Sequence, residues 1–209
     1  MYSQRSLTQT LRPGRRGFSL VEALVALTIM ALAGSVLLLS VESSLETTTD
    51  AVDRTIADGI AQQVLDQALT EKYTESAGSG LTLLEILGPL GPAADELLGV
   101  GTSLFDDVDD YAGYIAQPVK DEYGEVLGTG DDSGGLRSTT FRIPSGFFQQ
   151  WRYRVKVYYV DASDHRTESS SATAYRAIEV FVEKLGEGGR VIPLASRKRI
   201  VTYLPPPAS

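Results

Sequence analysis

The 209-residue sequence contains no cysteine and only one histidine. The lack of cysteine excludes a disulfide-stapled fold, a thiolate metal site and a thiol nucleophile. Basic residues are also scarce, because 19 Lys and Arg face 27 Asp and Glu and the formal net charge is −8. Four of these arginines lie in residues 1–17, which contain no acid, so the rest of the chain carries −12. A phosphate backbone requires clustered cations, and we therefore expect no nucleic-acid binding by this acidic remainder.

The apolar run from Phe18 to Val41 contains a single charged residue, Glu22. About 20 apolar residues span a bilayer as a helix, so the run predicts a transmembrane segment. A carboxylate inside the hydrocarbon costs roughly 2.5–3.5 kcal/mol, and such residues are usually functional. Glu22 needs a cationic partner that its own segment does not supply. Cleavage between Gly17 and Phe18 would create one, because the new α-amino group would lie about one helical turn from Glu22 and within reach of a neighbouring subunit.

Residues 15–22 read RRGFSLVE and follow a basic leader, 1–17. This pattern resembles the class III signal of type IV pilins and type II secretion pseudopilins, and the resemblance covers about the first quarter of the chain. It implies cleavage by a prepilin peptidase between Gly17 and Phe18, N-methylation of Phe18, and assembly of a filament through Glu22. Many major pilins carry a C-terminal disulfide loop, so the absence of cysteine favours a minor pilin or a pseudopilin.

The resemblance also implies partners and a location. The partners are other pilin or pseudopilin subunits, the prepilin peptidase, the inner-membrane assembly platform and the membrane itself. The chain would cross the bacterial inner membrane once, with its head periplasmic or extracellular, and would later enter a filament. No cofactor and no enzymatic activity are expected. The sequence leaves open whether the filament is a pilus, a secretion pseudopilus or a DNA-uptake fibre.

Three other interpretations of the N-terminus compete with this one. An ordinary secretory signal cleaved near Ala33 and a twin-arginine signal both place Glu22 inside a core that should be uncharged and shorter. A plain membrane anchor explains the length of the run but neither Gly17 nor Glu22. The rival function is a signal-anchored periplasmic module that binds a ligand or Ca²⁺.

Residues 42–73 predict a continuation of the same helix beyond the membrane-spanning residues 18–41. Proline is absent, and apolar residues recur in steps of four and seven that form one helical stripe. The members of that stripe are Leu45, Val52, Ile56, Ile60 and Val64. One helix from Phe18 to about Tyr73 follows from this periodicity. Residues 74–138 are rich in Gly, Pro and Asp and predict an αβ connection with one or two short helical turns.

Residues 139–204 predict an antiparallel sheet, and residues 205–209 form a proline-rich tail. Period-two alternation is clear in two stretches, Gln150–Val160 and Ala174–Lys184. A short strand is expected at Thr139–Ile143, just before Pro144. A turn at Gly186–Gly189 follows the second stretch, and a final strand is expected at Lys198–Leu204. The predicted class is α+β in a pilin-like order: a long N-terminal helix, an αβ connection and a C-terminal antiparallel sheet.

A dense group of acids in the connection is the other conspicuous motif: Asp106, Asp107, Asp109 and Asp110. Such a set of carboxylates can hold Ca²⁺. The surrounding residues do not fit an EF-hand loop, and a solvated loop of Asx turns explains the same residues. The single histidine, His165, follows Asp164 between two predicted strands, where a hairpin loop explains it better than a catalytic His–Asp pair. Nothing in the sequence supports an enzyme.

Overall fold

The computed structural model describes residues 17–71, 73, 90–92, 101–131 and 133–202. Most of the basic leader, the short helical turns expected in the first part of the αβ connection, and the tail lie outside the described residues. The chain divides into two compact units, Met1–Thr49 and Asp50–Ser209. The second unit is called the head below.

The predicted long helix is confirmed as α1, which spans Leu20–Thr70. Its early part is apolar and exposed, with a mean hydropathy of 2.5 over the most apolar 18 residues and none of that window buried. By length and composition this part can cross a membrane. It begins at Leu20 rather than at Phe18 because Ser19 caps it, as described below.

The head part of α1 buries one face in the core. The buried apolar positions recur at helical spacing, as the sequence periodicity predicts, and are Ala57, Ile60, Ala61, Val64, Leu65 and Ala68. Leu45 and Val52, which the same stripe includes, are exposed because the core begins only at Ile56 and Ala57. The helical stripe therefore predicts the packed face correctly and overestimates its length.

The sheet has four antiparallel strands in the order β1-β2-β3-β4. The strands are β1 (Ile115–Ala116), β2 (Trp151–Tyr159), β3 (Tyr175–Leu185) and β4 (Val191–Thr202). The alternation predicted for β2 is confirmed, because Trp151, Tyr153, Val155 and Val157 are buried while the residues between them are not. The buried side chains of β2 and β3 belong to the same core cluster as the head part of α1. This is the predicted α+β class with a pilin-like layout.

One strand prediction was wrong, and the start of another strand was misplaced. Thr139–Ile143 is not a strand: Thr139–Phe141 form a 3-10 helix, in which the Phe141 N–H donates to the Ser138 carbonyl at 2.9 Å. The side chains of Thr139–Phe141 are exposed, so an extended conformation would bury no apolar face and gain no stability from packing. The last strand begins at Val191, seven residues before Lys198. The Gly186 N–H donates to the Arg190 carbonyl at 2.8 Å, and this tight hairpin places Val191 directly opposite Leu185.

Pro193 does not interrupt β4, although proline removes a ladder hydrogen bond. Among the described residues β4 pairs only with β3, and the register shifts between Val182 and Glu183 beside Pro193. Proline is tolerated in such outer strands and at bulges. The opposite outer strand, β1, comes from the αβ connection and is too short for any sequence pattern to reveal.

Ion pairs join the sheet to the rest of the head. Lys184 on β3 donates to Asp53 at 2.8 Å, and Arg197 on β4 pairs with Asp58. Glu183 accepts from Arg152 and Arg154 on β2. Burial raises the pKa of Glu183, but the two arginines outweigh this effect and the pKa is lowered overall. Two acids of α1, Asp53 and Asp58, therefore pair with bases of the sheet.

Candidate functional site

The Gly17–Phe18 bond lies just outside the helix. Residues 17–19 have no regular secondary structure and are exposed, and Phe18 has an exposed fraction of 82%. A Cβ added at Gly17 would meet no atom within 4 Å, and the backbone there does not adopt the left-handed conformation that favours glycine. The fold itself therefore gives no reason for a glycine at this position.

Ser19 and Glu22 form a capping box at the start of α1. The Ser19 N–H and hydroxyl both donate to Glu22 Oε2 at 2.9 Å, and the Glu22 N–H donates to Ser19 Oγ at 3.2 Å. The first helical bond runs from the Ala23 N–H to the Ser19 carbonyl at 3.1 Å. This reciprocal arrangement satisfies backbone donors that a helix N-terminus otherwise leaves free. It fixes the start of the helix at Leu20.

The sequence analysis did not predict this cap and considered only that the Glu22 carboxylate needs a cationic partner. The Ser-x-x-Glu spacing is the signal that predicts it. The cap satisfies part of the carboxylate's hydrogen-bonding capacity but supplies no positive charge. The first basic residue after Gly17 is Arg54, and the helix dipole offers only a partial charge. Glu22 is thus held in place by its own chain and left without a full counter-charge within the helix.

Replacing Ser19 with alanine should loosen the first turn of α1. The variant loses the hydroxyl that accepts from and donates to Glu22, so the Leu20 to Glu22 amides should exchange with solvent about fivefold faster in detergent micelles. Ser35→Ala is the matched control, because the Ser35 hydroxyl only donates to the Leu32 carbonyl inside the helix. Equal exchange rates in the two variants would show that the capping box does not determine where the helix starts.

The acidic loop brings three of the four predicted aspartates together. Carboxylate oxygens of Asp106, Asp107 and Asp110 lie within 4.8 Å of one another. The same carboxylates also accept backbone hydrogen bonds. Asp110 Oδ2 accepts from the Asp106 and Asp107 N–H groups at 3.0 Å, and Asp107 Oδ1 accepts from the Asp109 N–H at 2.8 Å. These hydrogen bonds order the loop as a series of Asx turns, and Ca²⁺ binding stays a prediction.

Asp109, the fourth predicted ligand, is directed to Arg176 instead. The two side chains form an ion pair at 2.6 Å, and the Arg176 side chain is completely buried. Arg176 also donates to the Tyr73 carbonyl at 2.6 Å and lies over the Tyr73 ring. Burial, with the neighbouring Asp107, raises the pKa of Asp109 to about 7 although Arg176 acts in the opposite direction. Asp109 therefore depends on Arg176 for its charge at neutral pH.

His165 lies in the hairpin between β2 and β3, as the sequence predicts. Asp164 does not orient it, because that carboxylate accepts from the Arg166 and Thr167 N–H groups at 2.8 and 3.1 Å. These hydrogen bonds hold the pKa of Asp164 down at about 2. The His165 ring packs edge-on against the Tyr175 ring, with 4.4 Å between the ring centroids. Both residues line a cavity of about 260 Å³. This geometry does not form a hydrolase-type pair.

Comparison with known proteins finds a match at the N-terminus. The family model described as the prokaryotic N-terminal methylation motif matches residues 12–38. The matched segment contains Gly17, Phe18 and Glu22 and most of the apolar run, and it ends before the head. No curated protein and no solved structure matches the chain. The predicted resemblance of the N-terminus to a prepilin-type signal is confirmed.

Proposed function

We propose that this chain, which carries a prepilin-type signal, is the precursor of a structural subunit of a type IV pilus-like or type II secretion pseudopilus filament. A prepilin peptidase would remove residues 1–17, and the new α-amino group of Phe18 would be methylated. The observation that carries this proposal is the motif match over residues 12–38, joined directly to a long exposed apolar helix.

The geometry around Gly17 supports the processing step. The fold does not need glycine there, and the Gly17–Phe18 bond is exposed and lies outside the helix. We therefore assign the requirement for glycine to the enzyme that cuts the bond. The basic leader would stay in the cytoplasm, as basic flanks of membrane helices do. The head would then be periplasmic or extracellular after a single crossing.

The exposed surface of α1 supports the assembly step. Its large apolar side chains from Leu20 to Val41 are exposed and need either lipid or other helices around them. Moving such helices from lipid into a bundle trades lipid contact for helix packing, which gives little specificity. The Phe18 amine of one subunit and Glu22 of the next would form an ion pair in an apolar environment. Such pairs fix register better than they add affinity.

Partners would be other pilin or pseudopilin subunits, the peptidase and the inner-membrane assembly platform. The absence of cysteine favours a minor subunit, and the signal implies a structural role rather than catalysis. The alternative is a signal-anchored module that binds Ca²⁺ at the clustered carboxylates of Asp106, Asp107 and Asp110. The mature N-terminus separates the two proposals.

A bulky residue at Gly17 should block processing. In cells that contain the peptidase, Gly17→Leu should accumulate as the full-length precursor, visible on a gel as retention of the 17-residue leader. Gly34→Leu is the matched control, because a Cβ at Gly34 likewise meets no atom within 4 Å. That variant should be processed normally. Normal processing of Gly17→Leu would count against cleavage at this bond.

A further inference from the structure

The charges of this chain are strongly divided along the sequence. Residues 42–136 contain 20 acids and 3 bases, whereas residues 137–202 contain 12 bases and 6 acids. The first segment includes the second half of α1 and the connection, and the second contains strands β2 to β4. The segment that contains β2 to β4 therefore has more bases than acids, whereas the segment before it is strongly acidic.

Some of these opposite charges form ion pairs inside the head. Each cross-pair takes its acid from the first segment and its base from the sheet, as in Asp53 with Lys184 and Asp109 with Arg176. The most exposed of these pairs is on the outer strand, where the Arg197 Nε and Nη2 atoms bind both carboxylate oxygens of Asp58. Asp58 lies on α1, so β4 already binds one carboxylate from a helix.

The next residue on the same face of β4 is Arg199, about 6.6 Å further along the strand. Its side chain is exposed and makes no hydrogen bond or ion pair within the described residues. Ile200, the next residue, points to the opposite face of the sheet and is also exposed, with an exposed fraction of 42%. On its far side β4 has no partner strand among residues 101–131 and 133–202. Lys198 and Pro193 are residues that discourage pairing of an outer strand with an ordinary strand. This edge suits a helix that carries carboxylates better than another strand.

Such a helix surface follows the membrane-spanning run in α1. Glu42 and Glu46 lie about one turn apart, about 6 Å along the helix axis. Both are exposed, and no ion pair involves them in the described part of the chain. The apolar side chains beside them, Val41 and Leu45, have exposed fractions of 57% and 63%.

We propose that the β4 edge around Arg199 and Ile200 docks the Val41–Glu46 segment of α1 from a second copy of this chain. This inference rests on the proposed filament function. Glu42 and Glu46 would supply the charge that Arg199 lacks in its own chain. Because Arg199 and Ile200 point to opposite faces of the sheet, the helix would lie along the free edge of β4, where Leu45 would cover Ile200. Because one surface of each copy meets a different surface of the next, the contact is heterologous and can repeat along a filament.

Cysteine cross-linking tests the contact without altering any charge, since the natural chain has no thiol of its own. Full-length Leu45→Cys and Ile200→Cys chains, co-expressed and oxidised in assembled filaments, should give a disulfide-linked dimer of twice the subunit mass. The double variant should give a ladder of multimers. Leu45→Cys with Leu136→Cys is the matched control, because Leu136 is an exposed leucine on another hairpin, with an exposed fraction of 55%.

A charge exchange tests the ionic part. Arg199→Glu should lower the cross-linked fraction about fivefold, as expected for one exposed ion pair, and adding Glu46→Arg to the same chain should restore it. Arg166→Glu, which changes an exposed arginine on the β2–β3 hairpin, should leave the fraction unchanged.

Three results would overturn the proposal. Filaments that form normally from chains beginning at Phe18, but cross-link no better than the control, would exclude this contact and leave the proposed function standing. A cross-linked product with the mass of some other protein would identify a different occupant. Mature chains that begin elsewhere than Phe18 would overturn the proposed function and the docking contact that rests on it.

Discussion

Glutamine in place of Glu22 is expected to reduce incorporation into filaments at least about 100-fold, while membrane insertion and removal of the leader stay unchanged. Glutamine can still accept the Ser19 N–H hydrogen bond, as it does in capping boxes. It cannot neutralise the amine of a neighbouring subunit, which would be left charged in an apolar environment. The measurement compares the amount of the chain in sheared filaments with the amount in the membrane fraction.

Two companion variants separate the charge of Glu22 from its capping role. Glu22→Ala removes both the charge and the hydrogen bonds to Ser19, and should behave like the glutamine variant in assembly. Ser19→Ala removes the capping hydroxyl alone and should still assemble. If the glutamine variant assembled as well as the natural chain while Ser19→Ala did not, the cap rather than the charge would be essential, and the proposed ion pair would be wrong.

Replacing Arg176 with methionine is expected to destabilise the head by about 3–5 kcal/mol, the usual cost of leaving one member of a buried ion pair behind. Arg176 is completely buried, holds Asp109 at 2.6 Å and donates to the Tyr73 carbonyl. Unfolding by denaturant, followed by tryptophan fluorescence, provides the measurement. Trp151 is the only tryptophan, is 1% exposed and packs against Phe148, so its emission reports on the core of the head.

The same variant should make stability more sensitive to pH. Without Arg176, the pKa of Asp109 rises above about 7, far above the ordinary value of about 3.9 for an unfolded chain. The folded state then binds a proton that the unfolded state has released, so stability falls as the pH rises from about 4 to 8. Arg197→Met, which removes the exposed partner of Asp58, is the control and should cost little. Equal losses in the two variants would contradict a special role for the buried pair.

The helix and two of the strands could be predicted because their apolar residues recur at regular spacing. The stripe in α1 and the alternation in β2 and β3 follow directly from helical and strand periods. The start of β4 could not, because Val191 extends only once the Gly186–Arg190 hairpin places it opposite Leu185. The two residues of β1 show no period at all. Their position depends on β2, which lies more than 30 residues further along the chain.

The N-terminal part of the candidate site could be predicted from the sequence, whereas the role of Asp109 could not. Gly17, Phe18 and Glu22 lie within six residues, so a linear motif contains the whole signal. The role of Asp109 depends on Arg176, 67 residues away, and on a burial that no local pattern reveals. An alternating strand predicts that position 176 faces inward with Ile178 and Val180, but not that an arginine can occupy it. Because Asp109 pairs with the distant Arg176, only Asp106, Asp107 and Asp110 form the acidic cluster.

The mass of the N-terminal peptide from the processed chain, isolated from membranes or filaments, shows directly where the mature chain begins. We expect that peptide to begin at Phe18 and to carry one methyl group on its α-amine. A mature chain that begins at Met1, or at Gly34 after a conventional signal cleavage, would contradict the account.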